Sequence, residues 1–295
     1  SHMNNEVPLI DWTDHSTITE KFKLAFTTTG FARIYNFWTP QELIIINKWF
    51  VVVENWFLTE QNKQKYQSTA DVRDGWTPLE SQVVNPTRKR DWKENFEIDS
   101  FTDLSYLPDE LSQSLAITHP LFFSKGKDIL KIFELMLGTK PDLLIDAHAD
   151  PNSHHLRTAY YPASEERDNQ LPCGEHKDYN TITLLFSPDK GKRLQIKNRA
   201  GKWKDIKYLD NSVVINIGNL MQIWSQDYLI SAPHRVLFNS EDSFTTAYFM
   251  SIPEMYNLKP IGPNPRKYRN TLVKRFNTQF DKAKMIASRR IKSKK

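Results

Sequence analysis

The chain is organised around residues 174–186, which read GEHKDYNTITLLF. His176 and Asp178 stand two positions apart there, just before a β-type apolar run over residues 181–186. In an extended segment residues i and i+2 point to one face, so an imidazole and a carboxylate can converge on one point. A third ligand would complete a facial set, and His234 in the segment SAPHRV is the candidate. Two imidazoles and one carboxylate on one side, with the other side open, form a ligand set suited to ferrous iron. A His-x-Asp pair alone is a weak signal, because hydrogen-bonded surface pairs of this kind are common. Context strengthens it: the pair opens a predicted strand, and His234, 58 residues later, directly precedes another apolar segment.

A chain of 295 residues can form one large domain or two small ones, and 39% hydrophobic content suits a globular body with a sizeable core. No run of 18 apolar residues occurs, so no membrane span is expected. The leading Ser1-His2-Met3 reads as a tag remnant, and no charged segment followed by an apolar one suggests a secretory leader. The single cysteine, Cys173, cannot form an internal disulfide, which fits a reducing cytoplasm that would also keep iron ferrous. Residues 281–295 carry seven Lys or Arg and one acid, while the net charge of the whole chain is +5, so the basic balance belongs to the tail. We therefore expect no nucleic acid and no membrane as partners, and a monomer or weak homo-oligomer.

Taken in order, residues 7–11 read as a strand and residues 19–29 as a helix with Phe22, Leu24, Ala25 and Phe26 on one side. Gly30-Phe31 turns into a second strand. A long helix is predicted over residues 39–58, with Thr39 as N-cap and Pro40 at its first position. Another is predicted over residues 120–137, ended by Gly138. His148, His154 and His155 fall in what reads as a solvated polar loop. Many short strands follow, with a hairpin through residues 189–191, to a last strand stopped by Pro253. The fold class is mainly β with α: a double-stranded β-helix, or jelly roll, with N-terminal helices packed on it. The divisions are residues 4–145 for the N-terminal region, 146–255 for the jelly-roll core, and 256–295 for a closing helix near residues 266–280 and the basic tail.

Several segments in this order match one family's pattern. They are DWKENF at 91–96, LRTAYYP at 156–162, the HKD segment, LQI at 194–196, Trp203, VVINIGNLMQIWS at 213–225 and HRV at 234–236. Over about residues 7–255 the chain resembles the isopenicillin N synthase-like branch of the Fe(II)/2-oxoglutarate oxygenases. The resemblance implies a non-haem iron oxygenase that hydroxylates, desaturates or cyclises a small molecule. It makes His176, Asp178 and His234 the Fe(II) ligands, with 2-oxoglutarate taking two of the open positions and dioxygen the third. Tyr161 matches a pocket tyrosine of the family, and Arg235 a structural position.

The pattern is broken at the co-substrate end. Where the family places an Arg nine positions after the distal His and a Ser two further on, this chain has Ser243 and Thr245. Ala159 replaces the Asn of the LR-x-N-YYP strand. Thr245 can replace a hydroxyl, but Ser243 cannot replace a guanidinium paired with the far carboxylate of 2-oxoglutarate. Arg157, which shares strand parity with Tyr161, is the first candidate for a substitute cation, and Arg193 the second. Two other readings follow from the same gap: a 2-oxoglutarate-independent oxidase resembling isopenicillin N synthase, and a non-catalytic cupin-like binding protein.

Overall fold

The computed structural model describes residues 7–69, 74–82, 87–188 and 193–264. In chain order the elements are β1 (Leu9–Asp11), α1 (Ile18–Thr28), β2 (Phe31–Tyr35), α2 (Pro40–Thr59), β3 (Gly75–Thr77), β4 (Glu94–Ile98), α3 (Asp109–Leu137) and α4 (Leu143–Ala147). They continue with β5 (His155–Tyr161), β6 (Cys173–His176), β7 (Ile182–Phe186), β8 (Arg193–Lys197), β9 (Trp203–Asp205), β10 (Ser212–Ile217), α5 (Asn219–Trp224), β11 (His234–Leu237) and β12 (Ser243–Met250). The predicted hairpin at 189–191, the closing helix at 266–280 and the basic tail lie outside the described residues.

Eight strands form the larger sheet, in the order β1-β2-β10-β7-β12-β5-β4-β3, and four form the smaller, β6-β11-β8-β9. The two face each other as an open jelly roll, the double-stranded β-helix expected from the sequence. β12 shows why its strands read as nearly continuous apolar runs: both faces of the larger sheet are covered. Phe244, Tyr248 and Met250 pack into the helix-side core with residues of α2 and α3, while Thr245, Ala247 and Phe249 face the smaller sheet. The helix-side core is large and aromatic, and includes Phe22 and Phe26 of α1, Trp49 of α2 and Phe133 of α3.

The N-terminal strands extend the larger sheet on both edges. β2 pairs antiparallel with β10, and β4 pairs antiparallel with β5. Gly30 makes the entry to β2 possible. Its φ of +75° is left-handed, and a Cβ there would lie 2.2 Å from the Ile230 carbonyl oxygen.

α2 begins as predicted. The Thr39 hydroxyl accepts from the Glu42 N–H at 3.2 Å and the Glu42 carboxylate accepts from the Thr39 N–H at 2.9 Å, closing a capping box. α3 differs from expectation. It starts at Asp109, not at Pro120, which sits in its interior. An internal proline costs about 3 kcal/mol. Leu111, Leu115, Thr118 and Phe122 recur at helical spacing and are buried, and their burial outweighs that cost. Its end is as expected, with Gly138 left-handed at φ 65°.

Candidate metal centre and co-substrate pocket

His176 is the last residue of β6 and His234 the first of β11, and the two are direct cross-strand partners in the smaller sheet. Their ring centroids are 4.3 Å apart. Asp178 does not continue the strand of His176, as i, i+2 parity would have it. It sits in the crossing from β6 to β7, where the chain passes from the smaller sheet to the larger. That crossing rests on the start of α5. The Asn219 N–H donates to the Asp178 carbonyl at 2.8 Å, and Gly218 approaches so closely that a Cβ would meet the Asn180 oxygen at 2.1 Å.

The three side chains converge. His176 Nε2 lies 3.5 Å and His234 Nε2 3.3 Å from Asp178 Oδ1, and the three ligand atoms all lie within 4.8 Å of one another. Two ligands at right angles with bonds of about 2.1 Å would stand about 3 Å apart. The orientation of each is fixed by the chain. His176 Nδ1 pairs with the Gly174 carbonyl at 2.7 Å and His234 Nδ1 with the Ala232 carbonyl at 3.1 Å. A carbonyl can only accept, so Nδ1 carries the proton and, in the neutral ring, Nε2 presents its lone pair. Asp178 Oδ2 accepts from Thr183 Oγ1 at 2.8 Å and from Asn216 Nδ2 at 2.7 Å, which leaves Oδ1 for the centre. Burial alone would raise the Asp178 carboxyl; the charge of His234 and hydrogen bonds from both imidazoles outweigh it and hold it well below the usual range. A carboxylate and two oriented imidazoles at this spacing fit a ferrous ion.

A cavity between the sheets opens on this group. Arg157, Ala159, Tyr161 and Thr245 line it from the larger sheet, and Cys173, Leu194 and Val236 from the smaller. Three of the four residues expected at the co-substrate end, Arg157, Tyr161 and Thr245, are therefore on its wall. Tyr161 and Thr245 are hydrogen-bonded to each other, and burial pushes the Tyr161 phenol far up, so it stays neutral. Ser243 is buried opposite Tyr161 in the β5–β12 register but is outside the cavity lining. Arg193 is exposed, on the outer side of β8, and donates to the Phe238 carbonyl; only its neighbour Leu194 faces in.

Arg157 is already engaged: its Nε donates to Glu97 Oε1 at 2.7 Å, and its guanidinium lies 5.2 Å from the Phe249 ring centroid. The sequence reading missed a second cation on the wall, Lys93. It precedes β4 by one residue and shares parity with Asn95 and Glu97, which pair with Ala159 and Arg157. The alternation of the DWKENF segment against LRTAYY was the signal that could have found it.

The histidines before β5 are not in a solvated loop. His148 and His154 are fully enclosed, with His148 bonded to the Leu144 carbonyl at 2.6 Å and to Thr181 Oγ1 at 2.7 Å. His155 is clasped between Glu97 and Asp99. Both ring nitrogens of His148 and His155 are thus occupied by protein, because the α4–β5 connection runs under the core instead of over it. Arg235 is outside the cavity lining; it donates to Gln195 at 2.9 Å and lies 3.9 Å from the Trp203 ring centroid. Trp224 and Tyr160 belong to the helix-side core.

The fold and the triad together define a non-haem iron oxygenase. Comparison with known proteins gives the same class. Residues 152–252 match the 2OG-Fe(II) oxygenase superfamily, and residues 7–114 match the region described as non-haem dioxygenase in morphine synthesis N-terminal. Among relatives, 1-aminocyclopropane-1-carboxylate oxidase homolog 3 of Arabidopsis thaliana is 26% identical over 275 residues, covering 89% of this chain and 73% of the relative. Jasmonate-induced oxygenase 4 of the same plant is 26% identical over 276 residues, covering 88% and 75%. A full-length Neurospora crassa protein solved in complex with alpha-KG superposes with a TM-score of 0.73 at 25% identity, covering 92% of this chain and 96% of that one. JOX2 in complex with 2OG, Fe and JA has a TM-score of 0.76 at 21% identity, covering 86% and 77%. The chain belongs to the 2OG-Fe(II) oxygenase superfamily, in agreement with the branch that its motifs resemble. It is accordingly an oxidoreductase of the type that uses Fe(II) and 2-oxoglutarate. Among the described residues no helix is long and apolar enough to cross a membrane.

Proposed function

We propose that His176, Asp178 and His234 hold one Fe(II), that the cavity beside them takes 2-oxoglutarate, and that the enzyme oxidises a small organic molecule in a reducing, cytoplasmic setting. The observation that carries this reading is the pre-set triad: two Nε2 atoms and Asp178 Oδ1 aimed at one point, each fixed from behind. Iron held by His176, Asp178 and His234 would supply dioxygen activation coupled to the conversion of 2-oxoglutarate to succinate and carbon dioxide. The chain supplies orientation and exclusion of water. Asn216 and Thr183 neutralise one oxygen of Asp178 and so direct the other. Phe31 edges against the His234 ring, with centroids 5.2 Å apart, and closes that side to solvent. Tyr161 and Thr245 offer hydroxyls to the cavity and Arg157 and Lys93 offer positive charge, while Ser243 is buried opposite Tyr161 in the strand register.

Small substrates are supported by the relatives. Their names point to oxidation of small metabolites, and the N. crassa protein, at 25% identity, is described with alpha-KG and 5-formyluracil together. The near-neutral charge of the chain outside its tail supports the absence of a nucleic-acid partner. The test is anaerobic titration with Fe(II) and then 2-oxoglutarate. Chelation through the 2-oxo and adjacent carboxylate groups should give a weak visible charge-transfer band, and air with a substrate should then release succinate. Asp178→Ala should abolish stoichiometric iron binding and turnover while leaving the fold intact. An Ala variant that kept both would sink the assignment.

A further inference from the structure

A dianionic co-substrate needs a cation at the end remote from the metal, and β12 presents Ser243 where the family pattern has Arg. Among the described residues, the cations on the cavity wall are Lys93 and Arg157. They are in very different states. Arg157 is spent on Glu97, a buried carboxylate 2.7 Å from its Nε. Glu97 also accepts from Gln82 Nε2 at 2.8 Å and meets His155, so Arg157 is tied into a buried network through its Nε.

Lys93 is nearly as buried, with 2% of its side chain exposed, yet its contacts are long. Its Nζ lies 3.7 Å from Cys173 Sγ and 3.8 Å from Asp91 Oδ2. The first is a hydrogen bond to sulfur, a weak acceptor, and the second is an ion pair beyond the 2.7–3.2 Å of an N–H···O hydrogen bond. Asp91 Oδ2 is itself a buried oxygen with no hydrogen-bond partner among the described residues. Burial pushes the Asp91 carboxyl up to about 7, so it counters the ammonium only in part. A buried ammonium with three donors, met by one weak sulfur acceptor and one distant carboxylate oxygen, still has donors to offer an anion.

Position agrees with charge. Cys173 Sγ, in contact with Lys93, is 3.7 Å from Nδ1 of the ligand ring His176. The ammonium thus stands two contacts from the metal centre. Four carbon–carbon bonds give an extended five-carbon diacid a span of about 5 Å. The hydroxyls of Tyr161 and Thr245 line the same wall.

We propose that Lys93 of the segment preceding β4 holds the far carboxylate of 2-oxoglutarate, in place of the arginine missing from β12. This rests on the oxygenase reading above. An ammonium on a neighbouring element, approaching from the side, does the work that a β12 guanidinium does from the sheet floor.

The experiment compares 2-oxoglutarate with 2-oxopentanoate, which chelates identically but lacks the far carboxylate. Both are titrated anaerobically into the Fe(II) protein and followed by the charge-transfer band. Wild type should prefer 2-oxoglutarate strongly. Lys93→Met should bind iron stoichiometrically but lose about 30- to 1000-fold in 2-oxoglutarate affinity, with little change for 2-oxopentanoate. Lys93→Arg should keep the preference. Ser243→Arg added to Lys93→Met should restore part of it. If Lys93→Met fails to fold, Lys93→Gln reads the same ratio with a hydrogen-bonding neutral group. A neutral variant that keeps the wild-type preference would overturn the assignment, above all if Arg157→Met then abolishes it. Failure of wild type itself to give any band would instead remove the oxygenase reading.

Discussion

At the scale of single residues, the side chains behind the ligands decide whether the triad is usable. Asp178 Oδ2 takes two hydrogen bonds, from Thr183 on β7 and Asn216 on β10, so the carboxylate is held from the larger sheet while both imidazoles stand on the smaller. Partners of this kind contribute about 10- to 100-fold to metal affinity. Asn216→Ala should therefore weaken Fe(II) binding by about that factor, measured by competition with a chelator, with the three ligands still in place. Thr183→Val should act in the same direction, and the double variant should lose more than either. Full affinity in the double variant would show that Asp178 is positioned by its backbone alone. The convergence of His176, Asp178 and His234 was legible in the sequence because their residue types and flanking apolar runs are distinctive. Lys93 was not, because its role depends on strand register, and a lysine beside a tryptophan and a glutamate reads as surface.

At the scale of elements, His148 joins α4 to the β6–β7 crossing, and it is one of three buried histidines that remain neutral. Burial drives His148 down to about 3 and His154 down to about 4, and His119 of α3 likewise to about 4. In the unfolded chain each would titrate near 6.5. Between these values the unfolded state binds more protons than the folded one, so stability rises with pH. It is complete above about pH 6.5 and is lost as pH falls toward 4. Each histidine should remove about 2 kcal/mol between pH 6.5 and 5. Urea midpoints measured from pH 7 to pH 5 should fall accordingly, and His148→Gln should flatten the curve. An unchanged slope in that variant would mean that His148 is not the enclosed neutral ring that its bonds to Leu144 and Thr181 describe. The sequence could not show this. His148, His154 and His155 sit among Asp, Pro, Asn and Ser, a composition that reads as solvated loop. Only the packing of that connection beneath Tyr248 and Trp224 turns it inward. The hidden first third of α3 has a related cause: Pro120 signals a helix start locally, and only the tertiary contacts of Leu111 and Leu115 show that the helix is already running.

At the scale of the whole molecule, the N-terminal strands are part of the sheet that carries the site. β2 is the partner of β10, with Phe31 opposite Asn216, and Phe31 also packs on His234. Removing residues 1–37 would strip β10 of its neighbour and expose its edge. It would also delete Ile10, Ile18, Phe22, Phe26, Phe31 and Ile34, all of them buried. At about 1.5–3 kcal/mol for each of these six large apolar side chains, the loss is about 9–18 kcal/mol. That matches or exceeds the 5–15 kcal/mol that separates a typical folded domain from its unfolded chain. The truncated protein, residues 38–295, should accordingly show no cooperative thermal transition and no stoichiometric iron binding, although all three ligands remain in it. A truncated protein that melted cooperatively and bound iron would make the first elements an accessory layer over a self-sufficient jelly roll. The register of β2 on β10 argues otherwise, since the residue that directs Asp178 is set by the strand at the sheet's N-terminal edge.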